Sequence, residues 1–178
     1  MLGLENIQKK LYLGSINIKT MKMIIAGVVI VICVLVWTGK KSVHTEIIIN
    51  SSKENVWSAL TDMEKYPEWN PVMQLVEGDV AEGNKVKYLF TQDENRSYEV
   101  GTTVHKYIPN KLLNQKGGIP LVLSFNHKYT LEEGDNFTKV IIHEDYSGIG
   151  VNFWNPTEVE NAYTKLNKAL KQRVEQLN

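Results

Sequence analysis

Apolar residues first gather in Met23–Trp37, MIIAGVVIVICVLVW, a run with no charge and no polar stripe. With Thr38 and Gly39 it reaches the lower edge of what spans a hydrocarbon core of roughly 30 Å. Lys22 precedes it and Lys40 and Lys41 follow, so lysine stems reach both interfaces. A secretory signal needs small residues at its cut, and Leu35-Val36-Trp37-Thr38 offers no such pattern. A lipoprotein signal ending at Cys33 would want a small residue where Ile32 stands. A buried core helix is the other reading, but the run is β-branched on every side and shows no polar stripe. The pattern predicts a single-pass transmembrane anchor over 23–39, preceded by a short segment, 1–22. Met21-Lys22 would serve as a start as well as Met1 does. Lys9, Lys10, Lys19 and Lys22, against Lys40, Lys41 and Lys53, put the N-terminus inside and the C-terminal domain on the extracytoplasmic side.

Beyond Ser42 the period changes. Thr45–Asn50 is a β-branched strand ended by Ser51-Ser52. Ser52 caps a helix over Lys53–Thr61 with Val56, Trp57 and Leu60 on one face. Tyr66-Pro67 stops it, and Glu68–Pro71 makes a tight turn or one helical turn. Strand-like runs follow at Val72–Glu77, Lys85–Thr91, Ser97–Tyr107, Leu112–Gln115, Val122–Leu131 and Thr138–Tyr146. Turn chemistry separates them, including Glu82-Gly83-Asn84, Pro109-Asn110, Gly117-Gly118 and Glu133-Gly134-Asp135, so they form an antiparallel meander. After Pro156, the positions Val159, Ala162, Tyr163, Leu166, Leu170, Val174 and Leu177 trace an amphipathic helix of about six turns. The fold class is α+β, with one domain over 43–178.

Charge removes some functions. Lys plus Arg and Asp plus Glu each total 20, so the chain is neutral and carries no footprint for nucleic acid. The lone Cys33 excludes a disulfide framework and a thiolate zinc cluster. No histidine spacing suggests a metal, no cofactor is expected, and nothing demands a partner chain, so the protein reads as a monomer.

The order of elements and several short motifs resemble a known group. Asn50-Ser51-Ser52, Val56-Trp57-Ser58-Ala59-Leu60, Asp62, Tyr66-Pro67 and Trp69-Asn70-Pro71 are similar to the opening of the START-like, or SRPBCC, superfamily. His127-Lys128-Tyr129-Thr130-Leu131, with Thr138, Val140, Glu144, Tyr146 and Gly148, follows the same pattern. That superfamily includes birch-pollen-allergen-like proteins and the bacterial polyketide cyclase/dehydrase and lipid transport proteins, some with a short N-terminal anchor. The resemblance covers 43–178. It implies a helix-grip fold, a curved antiparallel sheet of about seven strands around a long C-terminal helix, enclosing an apolar cavity. The extended glycine-rich loop of the plant allergens and the metal-ligand pattern of the oxygenase domains are absent from the sequence. Carriers, cyclases and regulators share the fold, so the resemblance alone does not assign a function.

Strand parity nominates the site. Phe125, His127, Tyr129 and Leu131 share one face, Val140, Ile142, Glu144 and Tyr146 another, and Val86, Tyr88 and Phe90 a third. The expected ligand-binding set is Tyr88, Phe90, Phe125, His127, Tyr129, Ile142, Glu144 and Tyr146, an apolar hollow with two polar members. In such surroundings Glu144 is expected to have a raised pKa. With His127 it would then form an acid–base pair for proton transfer at a carbonyl-containing ligand. On the other reading each is satisfied by a tyrosine hydroxyl or the backbone and only orients the ligand. The second is preferred: a membrane-anchored module binding a hydrophobic small molecule or lipid. The alternative is a polyketide cyclase/dehydratase-like enzyme using Glu144 or His127 as general acid/base. A third reading, an interaction protein using the outer sheet face, lacks an exposed apolar stripe. His44 and His105 read as solvent-facing, and Trp57 and Trp69 as packing residues. Phe153-Trp154 reads equally as a core plug or as a mouth or membrane-touching element. The short link after the anchor would hold the domain against the bilayer, with the mouth near Phe153-Trp154 or the turn after Tyr66-Pro67 facing lipid.

Overall fold

The structure is a computed structural model describing residues 17–176. Residues 1–16, with Lys9 and Lys10, and Leu177 at the end of the expected last helix lie outside the described residues. The chain divides between Leu35 and Val36 into two compact units.

The first unit is built on α1, Ile18–Thr38, 21 residues of which none is buried. It starts ahead of the apolar run, because Ile18–Lys22 contains no helix breaker. At about 1.5 Å per residue it is close to the thickness of a hydrocarbon core. Its length and composition suit a membrane span or a signal sequence.

The second unit opens with β1, Lys40–Ile49, and α2, Lys53–Thr61. Ser52 caps α2, its side chain accepting from the Asn55 N–H at 3.3 Å. A 3-10 turn, Met63–Lys65, leads to the single helical turn α3, Tyr66–Trp69. Six strands follow: β2 Met73–Glu77, β3 Lys85–Asp93, β4 Arg96–Ile108, β5 Leu112–Ile119, β6 Leu123–Glu133 and β7 Thr138–Ser147. A second 3-10 turn, Ile149–Phe153, precedes α4, Thr157–Gln176. The strands form one antiparallel sheet in the order β1-β7-β6-β5-β4-β3-β2. This is the α+β helix-grip arrangement, the curved sheet wrapped on α4.

Helix α4 buries Val159, Ala162, Tyr163, Leu166, Leu170 and Val174 against the sheet. One polar residue shares that stripe: Asn167, whose Nδ2 donates to Thr45 Oγ1 on β1 at 3.1 Å. The helical pair is fastened by tyrosine and asparagine. Tyr66 donates its hydroxyl to the Leu60 carbonyl, and Asn70 Oδ1 accepts from the Val72 and Met73 N–H groups, each at 2.9 Å. Trp57 meets Tyr107 edge-on at 5.3 Å and Trp69 meets Tyr66 at 5.1 Å, so both tryptophans serve packing.

Two strand boundaries depart furthest from the sequence pattern. Strand β1 begins at Lys40 rather than Thr45, because Lys40, Lys41 and Ser42 pair with Ser147, Tyr146 and Asp145 on β7. Lysines suit an edge strand, where they discourage further pairing. Gly117 and Gly118, read as a turn, lie inside β5 opposite Phe125 and Ser124, and the turn falls at 120–122. The reason is space. A Cβ at Gly117 would sit 2.5 Å from the Gly101 carbonyl oxygen and 2.5 Å from the Phe125 ring. Glycine there lets the Phe125 ring lie over the strand. Gly117→Ala should therefore cost about 1–3 kcal/mol through overpacking, read by chemical denaturation. An unchanged midpoint would show that Phe125 does not depend on that gap.

Candidate functional site

Between the sheet and α4 lies a half-enclosed pocket of about 340 Å³. Its walls are mostly rings. Tyr88 and Phe90 come from β3, Phe125 from β6, Tyr146 from β7 and Tyr163 from α4. Alternation along each strand sends these side chains to one face, and the curl of the sheet turns that face onto the helix. Trp154, just before α4, closes one side, its ring 4.5 Å from Tyr146. Its neighbour Phe153 is 79% exposed. The Phe153-Trp154 pair thus divides, one ring in the wall and one in solvent.

Six of the nominated residues line this pocket: Tyr88, Phe90, Phe125, His127, Glu144 and Tyr146. Tyr129 and Ile142 do not. They stand opposite each other on β6 and β7, buried in the core beneath it. The Tyr129 hydroxyl reaches Met73 Sδ at 3.8 Å, and its ring meets that of His127 edge-on at 4.6 Å. The lining also takes in residues that were not nominated, among them Thr102, Gln115, Trp154 and Tyr163. Tyr163 was legible only as one more apolar position of the last helix, and Gln115 ended a strand that proves longer.

The polar centre is a buried pair. His127 and Glu144 face each other across the β6–β7 ladder, with side chains 5% and 4% exposed. His127 Nδ1 lies 3.5 Å from Glu144 Oε2. Tyr146 donates its hydroxyl to the same oxygen at 2.5 Å, and so does Tyr163 from the helix. Three donors converge on Oε2, while Oε1 has no protein donor among the described residues. His127 Nε2 and Thr102 Oγ1, both buried, also lack a partner among them. Nearby, Gln115 Nε2 donates to the Tyr88 hydroxyl at 2.6 Å.

The electrostatics reverse one expectation. Burial does push the Glu144 carboxyl upward, and it is the largest single influence. The charge of His127 and the bonds from His127, Tyr146 and Tyr163 together outweigh it. Glu144 is held below the ordinary carboxylate value rather than raised. The cost appears on its donors. Burial, then the Glu144 charge, pushes the Tyr146 and Tyr163 hydroxyls well above the usual tyrosine range. Burial lifts Tyr88 to about 12. All three phenols therefore stay protonated and available as donors. No cluster of three or more His, Cys, Asp or Glu side chains suited to a metal occurs among the described residues. His44 and His105 are exposed, His44 lying 3.4 Å from His143 between their Nδ1 atoms.

Residues 40–175 match the model of the family described as polyketide cyclase / dehydrase and lipid transport. No individually curated protein matches the chain significantly. Several solved structures share the fold. Major latex-like protein 151 from Panax ginseng superposes with a TM-score of 0.63 at 12% identity, covering 75% of this chain and 97% of its own. Protein CV1439 from Chromobacterium violaceum gives 0.62 at 16% identity, covering 75% and 96%. The Zhui aromatase/cyclase from Streptomyces sp. R1128 gives 0.61 at 14% identity, covering 77% and 94%. Motif, fold and family model agree, and the chain belongs to the polyketide cyclase / dehydrase and lipid transport family of the SRPBCC superfamily.

Proposed function

We propose that the domain binds a hydrophobic small molecule or lipid in the pocket between sheet and α4, and that α1 anchors it to a membrane with the domain on the extracytoplasmic side. One observation carries the binding reading. A pocket walled by aromatic rings keeps a buried polar atom, His127 Nε2, without a protein partner among the described residues. A buried polar atom left unbonded costs free energy, and a ligand's polar end removes that cost. Thr102 Oγ1 offers a second such point on the lining.

The same geometry argues against Glu144 as an acid or base. A general acid must hold its proton at working pH, and Glu144 is kept ionised. A general base needs basicity, and His127 with the two tyrosine hydroxyls on Oε2 holds that of Glu144 below the ordinary carboxylate value. Its work is to orient His127 through the contact at Nδ1. An enzymatic reading survives only through His127, since a ring oriented by a carboxylate on Nδ1 with Nε2 free is also how a general base is held.

Two experiments separate these readings. Native mass spectrometry of the full-length protein released from membranes should find a hydrophobic molecule bound to wild type. His127→Gln should weaken its retention by about 5–10-fold, the worth of one hydrogen bond. A wild-type complex whose ligand is short of one water relative to that held by His127→Gln would instead establish dehydration. No ligand in either protein would sink both readings.

The second concerns pH. A carboxyl with a folded pKa below its unfolded value gives stability that is complete above the unfolded value, near 4.5, and is lost as pH falls through the folded one. Glu144→Gln should be less stable than wild type by about 3–5 kcal/mol at neutral pH, because His127 is left unpaired. The difference should shrink as pH falls below 4.5. A gap that widens in acid would mean Glu144 is protonated in the fold.

A further inference from the structure

One end of the sheet is defined by register. Lys40 on β1 stands opposite Ser147 on β7, Ser147 opposite Ser124 on β6, and Ser124 opposite Gly118 on β5. Three segments meet just beyond that row: the chain entering through Thr38 and Gly39, the β5–β6 turn, and the 3-10 turn 149–153. Hydrogen bonds lace them together. The Gly148 N–H donates to the Gly39 carbonyl at 2.9 Å, and the Ile149 and Gly150 N–H groups donate to Leu121 and Val122 at 2.9 and 2.8 Å. Thr38 Oγ1 donates to Asn152 Oδ1 at 3.1 Å.

Apolar side chains stand in solvent at this end: Ile119 at 64% exposure, Leu121 at 65%, Val122 at 51% and Phe153 at 79%. Leu121 also has a φ of 66°, where glycine or asparagine is usual. A leucine strained in backbone and bare in side chain serves nothing inside the fold. Beside the patch, Lys40, Lys41 and Lys116 border one surface hollow. The pocket reaches the same end, since Gly118, Leu123 and Trp154 belong to its lining.

We propose that this end of the domain docks into the bilayer surface, its apolar side chains entering the interface, its lysines meeting lipid phosphates, and its pocket exchanging ligand directly with the membrane. Lipid is the occupant because only Gly39 separates the last residue of α1 from the first of β1. One residue reaches about 3.5 Å, which allows no spacer between membrane and domain. The inference rests on α1 being an anchor, and chooses the Phe153 end over the turn after Tyr66-Pro67 as the lipid-facing one.

Spin labels on the full-length protein test it, in a Cys33→Ser background reconstituted into phosphatidylcholine/phosphatidylglycerol vesicles. Leu121→Cys and Phe153→Cys probe the patch, Val29→Cys the anchor, and Asp135→Cys the opposite end of the sheet. Labels at 121 and 153 should collide more with oxygen than with a water-soluble nickel chelate, as at 29, and the label at 135 should do the reverse. Labels at 121 and 153 behaving like 135, with 29 still in lipid, would overturn the docking surface and leave the anchor standing. A label at 29 behaving like 135 would remove the anchor and the docking with it. Dipolar broadening between chains at 121 or 153 would make a second copy the occupant and overturn the proposal.

Discussion

A carboxylate buried among aromatic rings has to be neutralised where it stands, and Glu144 dictates what surrounds it. Its own strand supplies Tyr146, the next strand His127 and the last helix Tyr163. The three donors lie on elements that meet only in the finished fold. The bond from Tyr163 therefore joins helix to sheet at the place where the pocket opens between them. Removing the carboxylate would leave a histidine and two hydroxyls unpaired in the same interior, a penalty larger than any single contact.

That arrangement also explains why His127 keeps an open valence. With Nδ1 engaged by Glu144 and the ring held edge-on between Tyr129 and Tyr163, His127 presents Nε2 in one fixed direction. A flexible polar side chain would turn to find its own partner; Nε2 of this fixed ring has none among the described residues. The surrounding walls offer apolar contact that is indifferent to chemical detail, so in the proposed binding role the orientation of a ligand would fall to this nitrogen and to Thr102.

Much of this was legible in the sequence, and the misses have physical causes. Alternation alone set His127, Glu144, Tyr88 and Phe90 on inward faces, because a pleated strand cannot do otherwise. Periodicity could not tell Tyr163 from its leucine neighbours, since its ring packs like theirs and only the hydroxyl reaches Glu144. From that omission came the wrong sign for Glu144: burial can be read from local pattern, but donors arriving from another element cannot. Tyr129 and Ile142 share the parity of the lining residues yet lie too deep, a matter of sheet curvature that alternation does not encode. The paired glycines at 117 and 118 carried turn chemistry, while their use, room for Phe125, depends on a neighbouring strand. The exposed turn at Leu121 left no pattern, being a short apolar stretch beside a proline.

Everything turns on the ionisation of one side chain. Infrared difference spectra between wild type and Glu144→Gln at neutral pH, with glutamate carboxyls carbon-13 labelled, report it directly. The account predicts that the substitution removes carboxylate stretching intensity and no protonated carbonyl band. A protonated carboxyl band present in wild type and lost in the variant would contradict it, returning Glu144 to the role of a buried acid.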